Sequence, residues 1–206
     1  MISDPAVVRI VSSRRNNEVF LDACKEGGGS PLQRIMNGTS AILRRGEIEK
    51  PVTILAVAPG DCASEQSFNF LDVSPDTARM FGLRNRILYR LTFNVNTSVL
   101  SIRLIRPSSN VPFGFEGQRV RSNDVILFGG ITRAALNLPE PGTVITVKRG
   151  GTTRKLRLRF GQGEAEFSEG FVTSAENARR LGLTLGRRFT LRYNQIARVL
   201  EIFSGK

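Results

Sequence analysis

Apolar and polar residues alternate along several short segments of the chain. Every second residue is apolar in residues 89–95, and the pattern recurs in residues 156–160 and 189–193. A two-residue period over such short segments is typical of β-strands with one buried face. Arginine fills most of the polar positions in these segments. The pattern therefore predicts strands with apolar inner faces and cationic outer faces.

Two short helices are predicted where the alternation stops. Ser74 and Ser174 are good N-terminal caps, and an acidic residue two positions later suits the positive end of each helix. A glycine ends each helix after about two turns, because glycine readily adopts the left-handed conformation found there. The positions that define this plan are Ser74, Gly82, Leu83, Ser174, Gly182 and Leu183.

These helices belong to an internal repeat. The matching segments are residues 73–102 with 173–202, residues 43–46 with 147–150, and residues 17–21 with 123–127. The first pair shares ten identical residues without a gap, and the other two pairs lie at shifts of 104 and 106 residues. Self-similarity over the whole chain indicates a duplicated structural unit.

The repeat predicts the domain organisation. We expect a first unit in residues 1–106 and a second, more basic unit in residues 107–206. The predicted fold is mainly β with short helices. It consists of two similar β-barrel-like or β-sandwich units of about 100 residues that form a pseudo-symmetric pair.

One copy carries a resemblance to known barrels. Its order of capped helix, Leu-Gly-Leu, turn glycine and two strands is seen in residues 174–183, Gly186, residues 189–193 and residues 199–202. This order resembles the double-psi β-barrel and the swapped-hairpin barrels of AbrB-type proteins. The resemblance implies two barrels in tandem. Such barrels serve in transcription factors, in adaptor domains of unfoldases and in enzymes, so the resemblance does not select one activity.

Charge is the dominant compositional feature. Lysine and arginine total 30 against 18 acidic residues, which gives a net charge of +12, and only five of the cations are lysine. Residues 1–104 carry a net charge of +3 and residues 105–206 carry +9. A bias in genome composition would also enrich arginine. The alternative interpretation is that the excess of arginine forms a surface for acidic partners, mainly in the second half of the chain.

Candidate chemistry is sparse. The chain has no histidine, the commonest general base and metal ligand, and Cys24 and Cys62 are too few for a metal cage. Cys62 beside Asp61 has no accompanying base, and the nearest acidic cluster consists of Glu164, Glu166 and Glu169 in a glycine-flanked segment. We therefore expect no enzyme activity, no cofactor and no metal site.

Three classes of function remain. The first is a structural or scaffold protein that self-assembles through strand edges and arginine-rich faces, as coat, shell or lattice proteins do, for example a viral coat or a pyrenoid-type organelle shell. The second is a nucleic-acid-binding protein of AbrB-like character. The third is an adaptor that binds an acidic protein. The expected partners are accordingly further copies of the chain, nucleic acid or acidic protein.

The same seven cations would contact a polyanion or partner in any of these classes. They are Arg154, Lys155, Arg157, Arg159, Arg187, Arg188 and Arg192. No apolar run reaches the length of a membrane span, and the first residues lack the order of a secretory signal. With two cysteines, this predicts an intracellular, reducing compartment, either the cytoplasm or an organelle if a transit peptide has been removed.

Overall fold

The computed structural model describes residues 1–24, 29–57, 68–114 and 119–205. The chain divides into two compact units, Met1–Ile105 and Arg106–Lys206. Within the described ranges, no helix is long and apolar enough to cross a membrane.

Seven strands of the first unit form a closed barrel. The elements in chain order are β1 (Ile2–Ile10), β2 (Glu18–Asp22), a 3-10 turn (Pro31–Arg34), β3 (Thr39–Arg45), β4 (Ile48–Ala56), β5 (Asn69–Val73), α1 (Pro75–Met80), β6 (Leu88–Asn94) and β7 (Val99–Leu104). Around the barrel the strands run β1-β5-β2-β4-β3-β7-β6. Parallel pairs join β1 to β5, β2 to β4 and β3 to β7. The first unit is therefore a barrel and not the alternative sandwich.

The second unit repeats this strand order. Its elements are β8 (Ser108–Pro112), β9 (Val125–Phe128), α2 (Gly130–Leu136), β10 (Val144–Arg149), β11 (Thr152–Phe160), a 3-10 turn (Gly163–Phe167), β12 (Phe171–Thr173), α3 (Ala175–Arg180), β13 (Arg188–Asn194) and β14 (Val199–Ser204). The sheet order is β12-β9-β11-β10-β14-β13-β8. The ends of this sheet meet at a single parallel bridge between Phe113 and Phe171. The prediction of a mainly β chain with two barrel-like units is thus confirmed.

Each unit has its own apolar core. In the second unit the ring of Phe171 lies 5.2 Å from that of Phe113, 6.0 Å from that of Phe128 and 6.3 Å from that of Phe189, measured between centroids. These rings come from four different strands or strand ends, so they tie the sheet together across its interior. Burial of one such side chain contributes roughly 1.5–3 kcal/mol, which favours the strand register that turns all four inward.

The strand register changes the alignment of one pair of segments in the repeat. Val19 in β2 pairs with Ile54, and Ile126 in β9 pairs with Leu158, which lies 104 residues after Ile54. The two strands therefore match at a shift of 107, the distance from Val19 to Ile126, and not at 106. Neighbouring residues in a strand point to opposite faces, so a shift of 106 would match the core residue Val19 with Val125, which lies outside the core cluster.

Both ends of α1 and α3 are held in the same way. The hydroxyl oxygens of Ser74 and Ser174 accept hydrogen bonds from the backbone three residues later, at 3.1 and 3.2 Å. Gly82 and Gly182 follow the helices with φ of +58° and +60°. Leu83 and Leu183, the next residues, are both buried. The sequence of each helix thus carries its own start and stop.

An arginine from the β3–β4 or β10–β11 hairpin completes each helix end. Arg149 Nη1 donates to the carbonyl of Gly182 at 2.7 Å and to that of Leu181, and Arg45 donates to that of Phe81. A Cβ on Gly182 would lie 2.5 Å from Arg149 Nη1. Glycine is therefore needed both for the backbone conformation and for the approach of the guanidinium.

The cysteines do not support the predicted compartment. Cys24 follows β2, is 6% exposed, and is disulfide-bonded. Disulfides persist mainly in oxidising environments, so the cysteine usage no longer argues for a reducing one. Asp61 and Cys62 lie outside the described residues.

Tyr193 makes the stability of the second unit sensitive to high pH. Its side chain is buried, and this burial raises the pKa of the phenol to about 12, although the charge of Arg198 acts in the opposite direction. A pKa raised on folding stabilises the fold fully below the unfolded value of 10.0, and this contribution is lost as the pH rises through the folded value. Two pKa units correspond to about 2–3 kcal/mol.

We therefore expect the wild-type protein to lose up to about 2 kcal/mol more stability than Tyr193→Phe between pH 9 and pH 12. Urea denaturation followed by circular dichroism at several pH values measures the difference. Parallel stability curves for the two proteins would show that Tyr193 does not carry the effect.

Candidate polyanion interface

Three of the predicted cations form a row on the outer face of β11. Lys155, Arg157 and Arg159 are exposed and alternate with Leu156 and Leu158, which are buried in the core. We call these three residues the β11 cation row. Successive members are two residues apart, so their backbone positions lie about 6.7 Å from one another along the strand. The row presents three positive charges along one line.

Lys148 of the neighbouring strand extends the row sideways. Thr146 pairs with Lys155 between β10 and β11, so Lys148 lies diagonal to Lys155 on the same face. Diagonal neighbours of this kind are about 7–8 Å apart. Lys148 is exposed. In the sequence, Lys148 stands next to Arg149 in the repeat, and nothing there indicates that it joins the row. Only the pairing of β10 with β11 brings it beside Lys155.

Most of this charge is not neutralised within the unit. Arg157 Nε lies 3.7 Å from Asp124 Oδ2, and both side chains are exposed. A hydrogen bond from the Ser122 hydroxyl is the main cause that lowers the pKa of Asp124, so this carboxylate stays ionised. In the described part of the chain, Lys155 and Arg159 have no carboxylate within ion-pair distance. The face is therefore electropositive.

Arg154, predicted to contact a polyanion together with these residues, does not lie on this face. It lies on the opposite side of β11 from Lys155, and its Nε donates to Asn177 Oδ1 at 3.2 Å. Asn177 is completely buried next to the start of α3. In the first unit Lys50 takes the same place and donates to Thr77 Oγ1 at 2.9 Å. Because the cation at this position makes an equivalent contact in both units, we infer that it stabilises the fold.

Arg187, Arg188 and Arg192 lie elsewhere on the unit. They belong to β13 or directly precede it, and β10 and β14 separate β13 from β11. Arg188 lies 3.3 Å from Glu169, and Arg192 pairs in register with Glu201 and lies over the ring of Phe203. The seven predicted cations therefore do not form one surface, since the strand order divides them.

The matching face of the first unit carries no cation row. At the positions of Lys155, Arg157 and Arg159, strand β4 has Pro51, Thr53 and Leu55, each 104 residues earlier. A groove of about 360 Å³ occupies this face instead. Its lining residues are Asn17, Ser40, Ala41, Ile42, Pro51, Val52, Thr53 and Ser98. The two units therefore share the barrel but differ in the residues on this wall.

The arrangement of exposed cations on this wall suits the binding of anionic groups. No cluster of three potential metal-ligating side chains occurs among the described residues. The glutamates at 164, 166 and 169 lie in or just after the second 3-10 turn and are exposed. Lysine and arginine at regular spacing on an exposed wall can attract and hold anionic groups.

Stability measurements separate the structural cation from the row. Arg154→Met removes the hydrogen bond to a buried amide oxygen, which leaves that oxygen without a partner and costs about 1–3 kcal/mol. Lys155→Met, at the next and exposed position, is the matched control and is expected to change stability by less than about 0.5 kcal/mol. Urea denaturation at neutral pH compares them. Equal losses would place Arg154 and Lys155 in the same environment.

The chain matches no model of a protein family, no curated protein and no solved structure. The features of the molecule that bear on its function are the β11 cation row, its surroundings and the contrast with the first unit.

Proposed function

We propose that the protein is a non-enzymatic nucleic-acid-binding protein whose second barrel contacts phosphate groups through the β11 cation row and Lys148. The observation that carries the proposal is the set of exposed cations on one wall, of which Lys155 and Arg159 have no ion-pair partner among the described residues. The excess charge of +9 in residues 105–206 supports it.

Phosphate binding gives these cations a favourable role that folding does not. Positive side chains in a row repel one another, and the first unit, which has no cations at the matching positions, forms its barrel without them. A polyanion relieves this repulsion and releases its condensed counterions on binding. Arginine adds a planar donor fork that matches phosphate oxygens.

Self-assembly through strand edges has less support. In the closed barrel of the first unit every described strand has two neighbours, so none of these strands offers a free edge to another copy. In the second unit the two end strands are short and are joined by the Phe113–Phe171 bridge. Assembly would then have to rely on arginine faces contacting the carboxylates of other copies.

The test removes the row and follows binding of a labelled 20-base-pair DNA duplex by fluorescence anisotropy. Four phosphate contacts predict that the affinity of the wild-type protein falls roughly 10²-fold between 50 and 200 mM salt. In Lys155→Thr/Arg157→Thr/Arg159→Leu only Lys148 remains, and the fall is expected to be roughly threefold.

The matched control removes three exposed arginines from the first unit, in Arg84→Thr/Arg90→Thr/Arg103→Leu. It lowers the net charge equally and is expected to keep the steep salt dependence. An equal loss in both variants would mean that total charge, and not this wall, drives binding. Large species in light scattering that dissociate only when the row is removed, without DNA binding, would favour the assembly class instead.

A further inference from the structure

We infer that the β11 cation row binds duplex nucleic acid through its backbone alone, in preference to single strands and without reading base sequence. This inference rests on the proposed function and specifies the class of ligand. It follows from what surrounds the row on the barrel wall.

None of the outward positions next to the row on β9, β10 and β11 carries a ring on which a base could stack. The outward neighbours of the row on β10 and β11 are Val144, Thr146 and Thr153. Phe160 follows Arg159 but turns to the core side, and the guanidinium of Arg133 covers its ring at 4.3 Å. Proteins that hold single strands gain much of their affinity from stacked bases, and this wall does not supply that contribution.

A duplex needs no such platform. Its phosphates are already ordered, and its axis carries a charge about every 1.7 Å, twice the density of one strand. A flexible single strand loses conformational entropy when it is ordered along a row of only three cations. Phosphate contacts are the main interaction that offsets this loss. The row therefore favours the duplex.

The described residues also form no helix or free β-ribbon suited to reading bases in a groove. The three helices in the described part of the chain span only six or seven residues each. The β10–β11 ribbon is fixed in the sheet on both sides, by β9 and β14. A ribbon held in this way can contact the phosphates at the surface of a duplex, but it cannot enter the major groove as a free ribbon does.

The experiment compares a duplex with its separate strand and adds an aromatic side chain to the wall. The wild-type protein is expected to bind the 20-base-pair duplex at least tenfold more tightly than the 20-nucleotide strand at 100 mM salt. Duplexes of unrelated sequence should differ by less than threefold. In Thr153→Tyr, which places a ring beside Lys155, single-strand affinity is expected to rise about tenfold with little change for the duplex.

Thr190→Tyr on β13 is the matched control, because Thr190 points outward on another part of the unit. It should leave both affinities unchanged. Single-strand binding as tight as duplex binding, with both weakened by removal of the row, would overturn this inference and leave the proposed function intact. Binding of neither ligand, or binding unaffected by removal of the row, would overturn the proposed function itself.

Discussion

Closure of the strands into a ring constrains every side chain of the barrel. Each strand of the first unit has a neighbour on both sides, so its residues point alternately into the core and out of the wall. The core accepts only apolar side chains at low cost. A charged side chain is therefore confined to the outer wall or to the ends of the barrel, where polar groups of the helices can bind it.

These two locations divide the cations by role. The end cations occur in both units with equivalent contacts: Arg45 and Arg149 bind the C-terminal ends of α1 and α3, and Lys50 and Arg154 contact residues at their N-terminal ends. Such repetition indicates that the barrel needs them. The wall cations at Lys155, Arg157 and Arg159 have no charged counterpart in the first unit, so the barrel does not need them.

The contrast between the two walls is the strongest argument for a partner. Like charges about 6.7 Å apart destabilise a strand slightly, and Asp124 offsets only one of them. The first unit avoids this repulsion with uncharged residues around its groove. A feature that costs stability and that the fold can omit supports the proposal that this wall binds a partner, and the even spacing of its cations is consistent with a regular array of phosphates.

The sequence by itself determined the local features. Period-two alternation identified most of the strands, Ser74 and Ser174 marked the helix starts, and the repeat indicated two similar units, because each of these signals depends on residues close together in the chain. Tertiary structure decided the rest. Strand pairing placed Lys148 beside the row and turned Arg154 away from it. The strand order separated Arg188 and Arg192 from β11. The register shifted the alignment of β2 with β9 by one residue. These outcomes depend on which strands are neighbours, and that is set by closing a ring between residues distant in sequence.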